Sequence, residues 1–298
     1  MAAESIHSLT VEGLKCKYRV LKQPSPQTEP VLVLGGALQD KYGWQNLDAP
    51  LLPVASIVTV DLPGSGEADP LRPDQGMEVM HAVVERVLDD VGASRANIFG
   101  YSFGSTLAFT FAQRHPDRVA RLMLGGVPVE ISDRQFALWR QAAARMASGD
   151  AHAFVDLALS LSLCYDESRT IRHRKLVHRY VKRLMTHAVT RIPHGFDVLN
   201  RSTMETLTPT GGLRGVPTLV FCGEHDTLST PEQQRTFADT IEGSRFVTFT
   251  ESDHWAALER AEDVTDLLIR FFTDQTIHTD GTSYSPTKHE TQVASASI

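Results

Sequence analysis

From Val31 to Gly125 the chain repeats one pattern: a short apolar run, a turn of small residues, then an amphipathic stretch. Val31-Leu32-Val33-Leu34, Ile57 to Asp61, Asn97-Ile98-Phe99 and Val119 to Leu124 are nearly continuous in apolar residues. A strand with one wet face alternates, so these runs read as strands covered on both faces. Between them Met77, Met80, Val84, Val87, Leu88 and Val91 recur at helical spacing, and Gly92 ends that helix. Another helix follows Ser102, runs to Arg114 and is closed by His115-Pro116. Trp44 to Leu52 reads as a short helix stopped by Pro53. Strand and helix in strict alternation imply a mostly parallel sheet with helices on both faces.

The flanks extend this plan. Ile6 to Glu12 and Leu14 to Leu21 form two strands joined tightly at Gly13. From Pro128 to about Asn200 the strand signal stops. Ser132 with Gln135 makes a capping box for a helix through Met146. A second helix covers Ala151 to Leu163 and a third covers Ser168 to Thr190. Sheet pattern resumes at Pro217 to Phe221, a helix starts near Pro231, and Phe246 to Phe249 and Ala261 to Phe272 give a last strand and helix. The expected division is therefore a core of residues 1–128 and 201–273, a helical lid over 129–200, and a disordered tail over 274–298.

Length and charge narrow the function. The chain has 298 residues and a formal net charge of −7, which argues against a general nucleic-acid binder. No apolar run approaches the roughly 20 residues of a membrane span. Met1 to His7 lacks a basic-then-apolar secretion signal. Cys16, Cys164 and Cys222 are scattered and odd in number, which suits free thiols in a reducing compartment. The expectation is a cytoplasmic protein with no membrane span, no metal and no cofactor.

Chemistry concentrates at Gly100-Tyr101-Ser102-Phe103-Gly104. A serine hydroxyl is a poor nucleophile until it is positioned and relieved of its proton. A tight strand-to-helix turn positions it, and such a turn demands residues without bulk on either side. The helix that follows presents free N–H groups to developing negative charge. Two later strands end in Cys222-Gly223-Glu224-His225-Asp226 and Glu251-Ser252-Asp253-His254, which bring carboxylates and histidines to the same sheet edge.

With these motifs in order, the chain resembles an α/β-hydrolase from Ile6 to about Thr273, least so in the lid. The implied fold is an eight-stranded, mostly parallel sheet with helices on both faces and an inserted helical lid. Gly100 to Gly104 resembles the nucleophile elbow. Gly35-Gly36-Ala37 stands at the oxyanion loop, Gly223 to Asp226 at the acid loop, and Asp253-His254-Trp255 with Glu259 at the histidine loop. The order Ser, Asp, His is the family's. The resemblance implies Ser102 as nucleophile, His254 as general base and acid, Asp226 as the residue that orients it, and the amides of Ala37 and Phe103 as oxyanion donors. Glu224 competes with Asp226, His225 with His254, and Asp253 is a rival carboxylate that lies too close in sequence to His254 to orient it. Cys222 reads as a buried apolar residue.

One departure stands out: most of the family has His-Gly at the oxyanion loop, and here Gly35 replaces the histidine. The Gly-Gly-Ala loop with Asp61-Leu62-Pro63-Gly64 is similar to a smaller branch that includes acyltransferases acting on carrier proteins. Three functions follow. The first is a serine hydrolase cleaving a carboxylic ester or thioester of a small or medium-sized acyl substrate through acyl-Ser102. The second is an acyltransferase that passes the acyl group to an alcohol. An acidic carrier protein would then meet the basic strip Arg169, Arg172, Arg174, Lys175, Arg179, Lys182, Arg183 and Arg191, for which a plain solvated face is the competing reading. The third is a non-catalytic small-molecule binder. Phe136, Trp139, Phe154 and Leu161 are the candidate lid residues for the pocket.

Overall fold

The computed structural model describes residues 3–37, 39–191, 211–277 and 284–286. Its sheet is built from β1 (Ala3–Val11), β2 (Leu14–Lys22), β3 (Val31–Leu34), β4 (Ile57–Asp61), β5 (Ala96–Tyr101), β6 (Val119–Gly125), β7 (Thr218–Gly223) and β8 (Arg245–Phe249). The strand order is β1-β2-β4-β3-β5-β6-β7-β8. Every pairing from β4 through β3, β5, β6 and β7 to β8 is parallel, while β1–β2 and β2–β4 are antiparallel.

Side-chain alternation explains why the inner strands are apolar throughout. Leu32, Leu34, Ile98, Leu122 and Val220 pack on one face, against helices α2 (Met77–Asp90), α3 (Phe103–Arg114) and α7 (Pro231–Asp239). Val31, Val33, Phe99, Met123 and Leu219 pack on the other, against the short α1 (Asp48–Leu51) and the C-terminal α9 (Ala261–Phe272). Neither face is wet, so no polar alternation survives in the sequence.

The lid is a third layer with its own core. It contains α4 (Asp133–Ala147), α5 (Ala151–Ser162) and α6 (Arg174–Arg191). The Ser132–Gln135 capping box is present. Trp139, Phe154, Val155, Leu159, Val177 and Val181 form the lid's apolar cluster, which touches Ala37 and Trp255 of the sheet-edge loops. The third lid helix starts at Arg174 instead of Ser168. Asp166 Oδ1 accepts from both the N–H and the hydroxyl of Ser168 (3.0 and 2.6 Å), a local turn that competes with helix. The end of the expected lid, residues 192–200, and the start of the second core segment at 201–210 lie outside the described residues.

The tail corrects one expectation. Tyr284–Pro286 forms β9, antiparallel to β8 with Phe249 opposite Tyr284. All eight expected strands are present, and this segment adds a ninth at the edge of the sheet. Without this pairing β8 would be an edge strand with unpaired N–H and C=O groups. Three residues carry too little pattern to announce a strand. The rest of the expected disordered tail, 278–283 and 287–298, lies outside the described residues. A further short helix, α8 (Ala256–Glu259), follows the histidine loop.

Candidate active site

Ser102 sits between β5 and α3 with φ 51° and ψ −120°, a left-handed conformation that costs an L-residue on the order of 1–3 kcal/mol. The surrounding structure enforces it. A Cβ at Gly100 would lie 2.6 Å from the Gly104 carbonyl oxygen, and one at Gly104 would lie 2.0 Å from the Leu34 carbonyl oxygen. Both glycines are therefore required. The Ser102 N–H donates to Gly125 O (2.8 Å), and the Ser105 hydroxyl donates to the same carbonyl (2.9 Å), which fastens the elbow to β6.

His254 Nε2 lies 3.1 Å from Ser102 Oγ, and His254 Nδ1 lies 2.9 Å from Asp226 Oδ2. The other Asp226 oxygen accepts the N–H groups of Leu228 (2.9 Å) and Ser229 (2.8 Å), so the carboxylate has no freedom to swing away. Asp226 and His254 are buried. Burial works against an imidazolium at His254, but the Asp226 carboxylate outweighs it and holds the pKa above the ordinary value. The Tyr101 hydroxyl donates to the His254 carbonyl at 2.5 Å and fixes the backbone of that loop. Gly126 makes room for the ring: a Cβ there would lie 2.9 Å from His254 Cε1.

The rival residues are placed elsewhere. Glu224 accepts the Glu251 N–H (3.1 Å). His225 faces Arg169 Nη1 at 2.9 Å. Asp253 accepts the N–H groups of Cys164 (2.8 Å) and Trp255 (2.9 Å). Cys222 is buried, and burial pushes its thiol well above the usual range, which leaves no reactive thiolate.

Ala37 follows β3, and Phe103 is the first residue of α3, where amides have no intrahelical partner. The Gly36 N–H is already donated to Gln39 Oε1 at 2.6 Å, so the next loop amide is that of Ala37. The loop is anchored below by Lys41. Its N–H and Nζ both donate to Asp61 (2.8 and 2.7 Å), and its carbonyl accepts the Thr59 hydroxyl (2.6 Å). Burial opposes the Lys41 charge, but Asp61 and Glu67 prevail and raise its pKa.

Ser102 and His254 open on a cavity of about 100 Å³. Its walls are Ala37, Trp139, Ala158, Leu161, Leu184, Met185, Leu228 and Trp255, with Gln39, Tyr101 and Ser162 as further polar members. No Lys or Arg lines it among the described residues. Of the four lid residues singled out from sequence, Trp139 and Leu161 are at the wall. Phe136 is exposed, and Phe154 is buried in the lid core against Trp139. Gln39, Leu184, Met185 and Leu228 were missed, because nothing in a helix or loop pattern says which face meets a serine 60 or more residues away.

The chain belongs to the α/β-hydrolase family: a family model described as alpha/beta hydrolase fold matches residues 29–261. It is 25% identical over 262 residues to a 2-hydroxy-6-oxononadienedioate/2-hydroxy-6-oxononatrienedioate hydrolase of Cupriavidus pinatubonensis, covering 82% of this chain and 86% of that protein. A thermophilic esterase from Thermogutta terrifontis superimposes with a TM-score of 0.75 at 22% identity, over 91% of this chain and 98% of the esterase. The enol-lactonase from Burkholderia xenovorans LB400 superimposes with a TM-score of 0.72 at 23% identity, over 90% of this chain and all of that one (100%). The chain is thus an enzyme of the α/β-hydrolase class. No described helix is long and apolar enough to cross a membrane.

Proposed function

We propose that this enzyme is a serine hydrolase that cleaves a carboxylic ester or thioester of a small acyl group through an acyl-Ser102 intermediate. The observation that carries the reading is the unbroken relay Ser102–His254–Asp226 beside a small, apolar cavity. Ser102 Oγ attacks the acyl carbonyl while His254 Nε2 takes its proton. Asp226 keeps Nδ1 protonated and stabilises the imidazolium. The amides of Ala37 and Phe103 receive the oxyanion. His254 returns the proton to the leaving alcohol or thiol, and a water deprotonated by His254 then releases the acid. The relative from Cupriavidus pinatubonensis is named for a dienedioate, which is a dicarboxylate. A dianion calls for cationic side chains, and the absence of Lys and Arg from the described cavity wall favours a neutral acyl group.

Transfer to an alcohol, from a carrier-protein or CoA thioester, is the second reading. The basic strip favours it in part. Arg169, Arg172, Arg174 and Lys182 are engaged with Asp166, Asp263, backbone carbonyls and Asp156, while Lys175, Arg179 and Arg183 stay exposed on α6. Intact-mass spectrometry with short acyl thioesters and p-nitrophenyl esters tests both. An adduct lost in Ser102→Ala and quickly released to water supports the hydrolase. An adduct that persists until an alcohol is added supports the transferase. Turnover of a 2-hydroxy-6-oxo-dienedioate with no ester turnover would overturn both.

A further inference from the structure

The cavity contains one side chain, Gln39, whose hydrogen-bond donors serve neither the triad nor the fold among the described residues. Gln39 stands on the oxyanion loop, and both backbone polar groups of Gly36 hold it: the Gly36 N–H donates to Gln39 Oε1 (2.6 Å) and the Gly36 carbonyl accepts the Gln39 N–H (3.1 Å). An amide N–H can be satisfied only by the oxygen of the glutamine amide, so this bond fixes which way the group is turned. Oε1 is engaged, and no described residue accepts from the NH2. The other polar side chains of the cavity are used within the protein. Tyr101 donates to His254 O, Trp255 Nε1 donates to Ser162 Oγ (3.3 Å), and His254 faces Ser102.

The position of the amide is close to the nucleophile. A Cβ built on Gly36 would lie 3.3 Å from Gln39 Oε1 and 3.4 Å from Ser102 Cβ, so the glutamine oxygen and the serine flank one and the same small space. The departure at Gly35 has the same cause. A Cβ at Gly35 would lie 2.9 Å from Gln39 Cβ, 3.1 Å from Trp44 Nε1 and 3.2 Å from Gln39 Oε1. Gln39 folds back into the volume that a side chain at position 35 would fill. The Lys41–Asp61 clamp two residues on holds the loop in that shape.

We infer that Gln39 is a catalytic residue: its side-chain NH2 donates a hydrogen bond to the acyl oxygen of the substrate as that oxygen becomes negative, beside the backbone amides of Ala37 and Phe103. This rests on the acyl-Ser102 reading above. A donor aimed at charge that develops only in the transition state raises kcat and leaves KM nearly unchanged. No bond to Gln39 forms or breaks; the proton on Nε2 stays there.

The decisive variant is Gln39→Glu. A carboxylate still accepts the Gly36 N–H, so the loop keeps its anchor, but the donor is gone and a negative charge faces the oxyanion. Gln39→Met, of similar size and without a donor, guards against an effect of charge alone. With p-nitrophenyl acetate, both variants are expected to lose on the order of a hundredfold or more in kcat, with KM close to wild type. A trifluoromethyl ketone, which forms the tetrahedral adduct with Ser102, is expected to bind more weakly to both by a similar factor. Thermal melting checks that each is folded. If folded Gln39→Glu turns over and binds the ketone like wild type, Gln39 only shapes the loop and the inference is overturned. The parent reading fails separately: Ser102→Ala would hydrolyse the ester like wild type, or the wild-type enzyme would neither hydrolyse it nor react with a fluorophosphonate at Ser102, and the inference falls with it.

Discussion

Strand β5 has no exposed residue, whereas helix α6 buries only Val177, Val181, Ala188 and Val189 of its 18 residues. The sheet is held by apolar burial on both faces, where each fully buried Val, Leu, Ile or Phe is worth about 1.5–3 kcal/mol. The lid rests on a small core of its own and on a few polar contacts with the catalytic loops. Cys164 N–H donates to Asp253, Arg172 N–H to the Glu251 carbonyl, Trp255 Nε1 to Ser162, and Gln135 Nε2 to the Thr227 carbonyl. All four join the lid to the loops that carry Asp226 and His254. The core thus fixes the chemistry, and the lid, clipped onto the acid and histidine loops, shapes what reaches it.

The sharpest form of this contrast predicts that chemistry and stability separate at the elbow. Ser102→Ala should lose turnover by a factor on the order of 10⁴–10⁶ while the melting temperature changes little, because the substitution removes only the hydroxyl facing His254 and keeps the elbow's backbone conformation and its bond to Gly125. Steady-state kinetics and calorimetry on one preparation check it.

The same substitution in the two regions gives the next largest difference. Gly104→Ala puts a methyl 2.0 Å from a core carbonyl and should cost at least about 3 kcal/mol, or prevent folding. Gly149→Ala, between α4 and α5, meets a positive φ of 84° but has open space around it, and should cost only about 1–2 kcal/mol. Urea titrations of the two variants measure this. Equal losses would break the distinction between core and lid.

Selectivity should move with the lid. Leu161→Ala enlarges the cavity and should shift preference by roughly tenfold towards acyl chains one or two methylenes longer. The rate of Ser102 labelling by a small fluorophosphonate should change little.

Two pH effects are smaller. His254 must be neutral to accept the Ser102 proton, and its pKa is raised, so the acid limb of kcat/KM should fall above the ordinary histidine value of about 6.5. Glu259 is the last residue of α8 and reaches back to accept the Asp253 N–H at 2.8 Å. Burial, and then the charge of Asp253, push its pKa up to about 9. A carboxyl raised in the folded state binds a proton that the unfolded chain releases. Its contribution is complete below the unfolded value near 4.5 and is lost as pH rises towards 9. Glu259→Gln keeps the acceptor and removes the titration, so its melting temperature should fall less than that of wild type between pH 7 and 9.

Much of the core was legible because its signals are local. Ala261–Phe272 reads directly from its apolar stripe, and the Ser132–Gln135 box marks the start of α4 to the residue. The order of the four loop motifs brought Ser102, Asp226 and His254 to one sheet edge on paper, and the distances place them together. What was not legible depends on contacts distant in sequence. Glu224 and Asp253 are carboxylates on the right loops, and only hydrogen bonds to Glu251, Cys164 and Trp255 remove them from competition. Phe136 and Trp139 are three residues apart on one helix, yet one is exposed and the other meets the cavity.

By itself the sequence determined the layer plan, the elbow glycines, the position of Ser102 and the two loops from which a carboxylate and a histidine could reach it. Each follows from a rule that acts within a few residues: periodicity, sterics around a Cβ, or the chemistry of a side chain. The tertiary structure decided which acid meets His254, which lid residues wall the cavity, that Tyr284–Pro286 closes the edge of β8, and that Gln39 fills the space left by Gly35. These depend on how separate segments approach one another, and packing at that range is set by the whole fold and not by any one stretch of chain.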